Sequence, residues 1–316
     1  MAVYRVEVQH LKKYFKVSSG LLHAVDDVSF GIAAGCTMGV VGESGCGKST
    51  LGRTIIHLFK STSGKILFDG RDVTQVNNAT LKKLREEMSI IFQDPYSSLD
   101  PRFTVEKIIR EPLVVSKKNS KEKINERVQE LMDMVGIDAR LSQSYPHELD
   151  GGRRQRVGIA RALSLGPKFI VCDEPVSALD VSIQAQVLNL MQDLQEQQNL
   201  TYMFVTHDMS VVRHISNHIC VMYLGQLVET GPTESVFTRP SHPYTQALLS
   251  AIPSIDIYNQ KELKRMKGEL SSPINPKPGC RFAPRCPHTK EECLQANQLA
   301  EMEAGHFVAC CRINYI

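Results

Sequence analysis

Gly42-Glu43-Ser44-Gly45-Cys46-Gly47-Lys48-Ser49-Thr50 fits the pattern G-x-x-x-x-G-K-[ST] at every fixed position. The glycines let the backbone fold tightly, so that successive N–H groups point at the oxygens of a phosphate. Lys48 can then reach β- and γ-phosphates, and Ser49 can ligate Mg²⁺. The flanking residues suit this reading. Met38-Gly39-Val40-Val41 reads as a short buried strand feeding the loop, and Ser49 to Ile56 as the helix leaving it. The positive end of that helix would face the phosphates. A chance glycine-rich turn would not carry a strand before it and a helix after it.

The 316 residues suffice for a large core and more than one domain. With 42% hydrophobic residues the chain reads as globular. A net charge of +3, with both signs interspersed, does not argue for a nucleic-acid partner. No apolar run approaches the ~20 residues of a membrane span. Met1 to Val8 alternates like a strand and does not read as a signal peptide, so a cytosolic location is expected. Of nine cysteines, five lie between Cys280 and Cys311. In a reducing compartment that clustering suggests metal rather than disulfides.

Along the chain, Val3 to Val8 and His23 to Phe30 read as strands, with the aromatic pair Tyr14-Phe15 between them. Helix is expected from Leu81, then a strand over Ser89 to Phe92 that ends at Gln93. Asp94 to Pro101 is turn-rich and is expected to continue neither helix nor strand. From Val105 to Leu149 the apolar spacing is helical, interrupted by a charged connector over Lys117 to Lys123. Arg154 to Leu165 is a helix stopped by Gly166-Pro167. Phe169 to Cys172 is a buried strand ending in Asp173-Glu174, Ser182 to Gln197 a helix, and Thr201 to Val205 a strand ending at Thr206-His207. His218 to Tyr223 is a further strand. Such alternation implies an α/β fold with a mostly parallel sheet, and ligands bind there at the carboxyl ends of strands. Gln93, Asp173, Glu174 and His207 all fall just after strands. Ser271 to Pro278 reads as a Pro-rich linker.

Asp173 is the carboxylate expected in the Mg²⁺ shell, and Glu174, one residue on, is the expected base that polarises an attacking water. Leu149-Asp150-Gly151-Gly152-Arg153 precedes this pair by about 20 residues and opens a helix. Here the chain resembles the ATP-binding cassette (ABC) family, whose signature reads L-S-G-G-Q. The resemblance implies roles for Gln93 as the Q-loop, Ser177 to Asp180 as the D-loop and His207 as the switch histidine. It implies that Phe15, or else Tyr14, stacks on adenine. Phe92 to Arg102 and Asp173 to Gln186 resemble the ATPases of dipeptide/oligopeptide importers, more narrowly the F-type of their two ATPase subunits. His242-Pro243-Tyr244-Thr245 and the late cysteines match the C-terminal extension of that subfamily.

That resemblance implies an ABC-type nucleotide-binding domain with an antiparallel N-terminal β part, an inserted helical subdomain over about 94–165 and a small Cys-rich extension. The expected division is 1–230 and 231–316. ATP and Mg²⁺ are the implied ligands, with Gly42 to Thr50, Asp173 and Gln93 holding them. The implied partners are a second ABC ATPase subunit, two membrane permeases and an extracytoplasmic peptide-binding protein, at the cytoplasmic face of a bacterial or archaeal plasma membrane. Uptake of nickel or another small solute is the alternative within transport. A soluble cassette ATPase is the alternative outside it, although the chain has neither a second cassette nor a long coiled-coil insertion.

The signature departs from the family. Asp150 replaces a serine expected to donate to the partner's γ-phosphate, and an ionised Asp cannot donate. At ~4 Å and an effective dielectric near 20, each like-charge pair costs roughly 4 kcal/mol before screening. Arg153 could offset part of this. The plainer reading makes Asp150 a helix N-cap, neutralised by Arg153. The first reading predicts an asymmetric heterodimer, with a weaker site where Asp150, Gly151, Gly152 and Arg153 cover the partner's loop.

Cys280, Cys286, Cys293 and Cys310 have thiolates suited to a [4Fe–4S] cluster, or alternatively Zn²⁺, as in some importers of this type. Cys311, or else the adjacent Cys310, is expected to be the odd one out, and His288 and His306 are spare zinc candidates.

Overall fold

The structure is a computed structural model that describes residues 4–252, 266, 268, 271–295 and 298–311. Val3, the expected start of the first strand, lies outside these. The chain divides into two compact units, residues 1–75 with 204–316, and residues 76–203.

In the first unit, strands Tyr4–Val17 and Gly20–Ala33 form an antiparallel hairpin from the register Tyr4↔Ala33 to Val17↔Gly20. Its inner face buries Val6, Val8, Leu11, Val25, Val28 and Ile32. The first strand also pairs antiparallel with Ser63–Phe68. Tyr14-Phe15 therefore lies inside a 14-residue strand rather than between two strands. The Pro-rich stretch expected as a free linker is tied to this hairpin. His23 N donates to Pro273 O at 3.0 Å and Asn275 N to Leu21 O at 2.9 Å.

The strand entering the phosphate loop, Thr37–Val41, is wholly buried, as its unbroken apolar run requires. It pairs parallel with His218–Tyr223, which pairs antiparallel with Gln226–Pro232. The short strands His306–Val308 and Ala300–Glu303 continue that edge. The C-terminal cysteine segment thus extends the sheet that carries the loop. A core of Val41, Val212, Ile219, Val221, Tyr223, Tyr244 and Phe282 joins the loop strand to that segment.

In the second unit, strands Met88–Ile91 and Phe169–Asp173 pair in parallel. Around them lie helices Asn78–Glu87, Val105–Ser116, Lys121–Met134, Gly151–Leu163 and Val181–Gln198. Ile108, Ile109 and Leu113, then Ile124, Val128, Leu131 and Met132, are buried at the i, i+3, i+4 spacing of amphipathic helices. Ser120 caps the second of these helices, so helix begins inside the expected connector. Asp94 does the same for a single helical turn, Pro95–Ser98, in the stretch expected to be turn-rich. None of the helices is long and apolar enough to cross a membrane, among the described residues.

Candidate functional site

The phosphate loop is shaped by its glycines and held by residues far along the chain. Gly47 has φ 106°, and a Cβ there would lie 1.9 Å from Ala24 O, so only glycine fits. It precedes helix Lys48–Ile55. The Lys48 ammonium is buried and donates to Gly42 O at 2.7 Å and Glu43 O at 3.0 Å. Gly225 N donates to Cys46 O, and Gly225 O accepts from Asp26 N, both at 2.8 Å.

Glu43 carries the strongest ties. Its N–H donates to the Tyr244 hydroxyl at 2.8 Å. Its carboxylate takes both arms of the Arg285 guanidinium, at 2.8 and 3.2 Å. Arg285 also donates to the Tyr223 hydroxyl at 3.3 Å. The bond to Glu43 raises Arg285 above its usual pKa. Tyr223, Tyr244 and Phe282 pack edge to face or tilted, with centroids 4.8–5.4 Å apart. His242 caps the helix Pro243–Ser250 by accepting from Tyr244 N at 3.1 Å. Buried Glu229 accepts from His242 N at 2.9 Å, Ser241 N at 2.8 Å and His306 Nε2 at 2.8 Å. His306, a spare zinc candidate, bonds Glu229 through Nε2.

Tyr14 stacks on His23, centroids 4.0 Å apart, and donates its hydroxyl to Asp26. Asp26 also takes His23 and Arg281, whose other arm donates to Leu224 O. Burial alone would raise the Asp26 carboxyl. The bonds from Tyr14 and His23 and the Arg281 charge outweigh it, and the group lies below its usual pKa. Phe15 meets Phe59 edge-on at 5.5 Å, with the Lys13 ammonium 4.5 Å from its centroid. His207 is exposed after strand Thr201–Thr206, where Asp208 caps the next helix, Met209–Ile215, and so fixes the turn.

In the second unit Asp173 is fully buried at its strand end. Glu174 follows at φ 47°, a left-handed conformation that costs about 1–3 kcal/mol outside glycine and marks functional turns. Ser177 supports it, donating through N and Oγ to Glu174 O at 3.3 and 3.1 Å. Gln93 Nε2 donates to Glu174 Oε2 at 2.9 Å, which leaves its amide oxygen for a cation. Gln93, expected as the Q-loop, and the expected base are thus in direct contact. At the signature, Asp150 caps helix Gly151–Leu163, accepting from Arg153 N at 2.7 Å. Arg153 Nε stands 3.4 Å from Asp150 Oδ2, with side chains 55% and 61% exposed. Gly152 lies against Ile183 so closely that a Cβ would sit 2.6 Å from its methyl.

The cysteines depart from expectation. Cys293 Sγ lies 3.6 Å from Cys311 Sγ, so the residue taken as the odd one out stands beside Cys293. Cys280 N donates to Cys293 O at 2.8 Å. Burial, with the neighbouring thiols Cys293 and Cys310, pushes the Cys280 thiol up to about 11. Among the described residues no three His, Cys, Asp or Glu side chains gather as a metal-holding group.

Sequence reasoning missed Asp26, Glu229, Arg281 and Arg285 as site residues. Arg281 and Arg285 had a signal, since they flank the cysteines in Cys280-Arg281-Phe282-Ala283-Pro284-Arg285-Cys286. A basic pair on a stiff turn suits carboxylate partners, but nothing local says which ones.

The phosphate loop, the strand-end acid pair and the glycine-rich helix start define an ATPase of the ATP-binding cassette class. The chain belongs to the ABC transporter family: residues 25–177 match that family's sequence profile, and residues 228–293 match the one described as "Oligopeptide/dipeptide transporter, C-terminal region". It is 50% identical to the oligopeptide transport ATP-binding protein AppF of Bacillus subtilis (strain 168), over 96% of each chain. It is 46% identical to the oligopeptide transport ATP-binding protein OppF of Salmonella typhimurium, over 98% of this chain and 96% of that one. Among solved structures it is similar to the dimeric ATP-binding cassette MJ0796 in a post-hydrolysis state bound to ADP and Pi. There the TM-score is 0.66 and the identity 29%, over 72% of this chain and 98% of the other.

Proposed function

We propose that this chain is the ATP-hydrolysing subunit that energises a dipeptide/oligopeptide importer, peripheral to the cytoplasmic face of the membrane. The observation that carries the reading is the joining of a phosphate loop to the oligopeptide/dipeptide-type C-terminal region through Glu43, Tyr244 and Arg285. Gly42 to Thr50 would cradle the phosphates, with Lys48 on their β and γ oxygens. Ser49, Asp173 and the Gln93 amide oxygen are hard oxygen donors of the type Mg²⁺ takes, and bound Mg²⁺ would neutralise phosphate charge. Glu174 would accept the proton of the attacking water, with Gln93 holding its carboxylate and His207 near the γ-phosphate. Phe15 is the adenine platform in this reading. Tyr14, already stacked on His23 and bonded to Asp26, serves to fix the strand. The test is reconstitution with two permease subunits, a second ATPase subunit and an extracytoplasmic binding protein. Peptide-loaded binding protein should stimulate ATP hydrolysis. Stimulation by nickel and not by peptide would move the chain to the alternative substrate class.

The pair of ATPase subunits is proposed to be asymmetric. Glu174 would work against an ordinary signature from the partner, while Asp150 covers the partner's loop and slows that site. Glu174→Gln in the assembled pair should lower turnover about 10²–10⁴-fold with nucleotide binding retained. A near-normal rate, with the partner's equivalent change abolishing turnover, would reverse the assignment.

The thiols remain a proposed [4Fe–4S] centre, with Zn²⁺ as the alternative. What favours it is the clustering of thiols in the sequence and the 3.6 Å approach of Cys293 Sγ and Cys311 Sγ, although among the described residues no metal-holding group gathers. A four-thiolate set would need two further thiols beside Cys293 and Cys311. Iron and zinc content of anaerobically purified protein decides between the two.

A further inference from the structure

The phosphate loop carries a carboxylate, Glu43, one residue after its first glycine. ATP is a polyanion, so an unpaired Glu43 would oppose its own loop's ligand. The structure answers this charge from 242 residues away. Arg285 takes Glu43 bidentately, with only 10% of the arginine side chain and 23% of the glutamate exposed. The arginine is aimed by a 3₁₀ turn, Ala283–Arg285, in which Arg285 N donates to Phe282 O at 2.9 Å. Phe282 itself is 1% exposed, packed on Tyr223 and Tyr244. Tyr244 completes the hold by accepting from Glu43 N.

We propose that Arg285 is a positioning residue for the nucleotide. It neutralises Glu43 and draws its carboxylate onto the C-terminal segment, so that the loop offers N–H groups and Lys48 to the phosphates without an opposing anion. The proposal rests on the reading that Gly42 to Thr50 holds ATP. It gives the C-terminal region a part in the nucleotide site of this same chain. Arg285 touches no phosphate in this account and acts through Glu43.

The two roles open to Arg285 differ in how they depend on ligand charge. A structural strut, once lost, weakens every ligand of the loop alike. A charge shield, once lost, weakens ligands in proportion to their phosphates. Equilibrium dialysis of the full-length chain with ATP, ADP and adenosine separates them. Arg285→Ala should weaken ATP about tenfold, equivalent to ~1.4 kcal/mol. It should weaken ADP less and leave adenosine unchanged. Arg285→Lys, which keeps the charge but not the two-armed geometry, should fall between. The double variant Arg285→Ala/Glu43→Gln should recover most of the ATP affinity lost in Arg285→Ala. If Arg285→Ala does not fold, Arg285→Gln carries the same expected order.

Unchanged ATP affinity in Arg285→Ala, equal losses for ATP and adenosine, or no recovery in the double variant would each overturn the proposal. Lys48→Ala tests the underlying reading separately. If it leaves ATP binding intact, the loop is not the phosphate site and both readings fall. If it abolishes binding while Arg285→Ala does nothing, only the shield is lost.

Discussion

Two carboxylate–arginine pairs sit at the two turns proposed to face phosphate, and they are made differently. Glu43–Arg285 in the phosphate loop is bidentate, mostly buried and braced by Tyr223 and Tyr244. Asp150–Arg153 at the signature turn is a single contact of 3.4 Å with both side chains more than half exposed. Removing one member of a buried pair leaves an uncompensated charge and costs several kcal/mol, whereas exposed pairs contribute about 0–1 kcal/mol. The loop is therefore completed within its own chain. The signature turn leaves its charged pair open to solvent.

The sharpest way to break this contrast is acid, which should act on the loop's brace far more than on the signature turn. His242 is almost fully buried, and burial lowers its pKa from 6.5 to about 4, although Glu229 pulls the other way. Its Nδ1 accepts from Tyr244 N, which only the unprotonated ring nitrogen can do. The unfolded imidazole binds its proton near pH 6.5, so between 6.5 and 4 the unfolded state holds more protons. The stabilisation is complete above pH 6.5 and is lost as pH falls through 4, by about 3 kcal/mol in all at ~1.36 kcal/mol per unit. Urea midpoints measured across that range should fall for the wild type. His242→Asn keeps a capping acceptor but does not titrate, and should flatten that part of the profile. An unchanged slope would mean that His242 is not the titrating group.

Next in size is Tyr244→Phe. It removes the acceptor of Glu43 N and leaves that donor unsatisfied in a half-buried place, at a cost of about 1–3 kcal/mol. Ring packing on Tyr223 and Phe282 should survive, so the loss should appear both in the unfolding midpoint and in ATP affinity. Loss of stability without loss of affinity would confine Tyr244 to the core and detach it from the loop.

The contrast also explains what could be read from the chain alone. Gly47, Lys48, Asp173 and Glu174 are legible because phosphate chemistry needs those residue types at short, fixed spacings. The buried strand Thr37–Val41 is legible from its unbroken apolar run. Arg285 and Glu43 are 242 residues apart, and no periodicity connects them. Pro273 to Asn275 looked like linker because pairing by one or two backbone bonds leaves no side-chain pattern. The turn Pro95–Ser98 was hidden because prolines on both sides obscured the Asp94 cap. Cys310 and Cys311 are adjacent, and only the path of the backbone decides which thiol faces Cys293.

The smallest expected effect sharpens the comparison most, because it separates capping from recognition at Asp150. Asp and Ser cap helices almost equally, while Ala loses the bond to Arg153 N. Asp150→Ala should therefore cost about 1 kcal/mol of stability and Asp150→Ser only a few tenths. If capping were the whole role of Asp150, turnover by the assembled pair would be the same in wild type and Asp150→Ser. Recognition predicts otherwise. A serine hydroxyl can donate to the partner's γ-phosphate where an ionised carboxylate cannot, so Asp150→Ser should raise turnover at the partner's loop. The increase should be read with Glu174→Gln in place, which leaves only that site working. An unchanged rate would show that the exposed pair is already neutral enough to pass for the family's serine, and the two arginine pairs would then differ in stability alone.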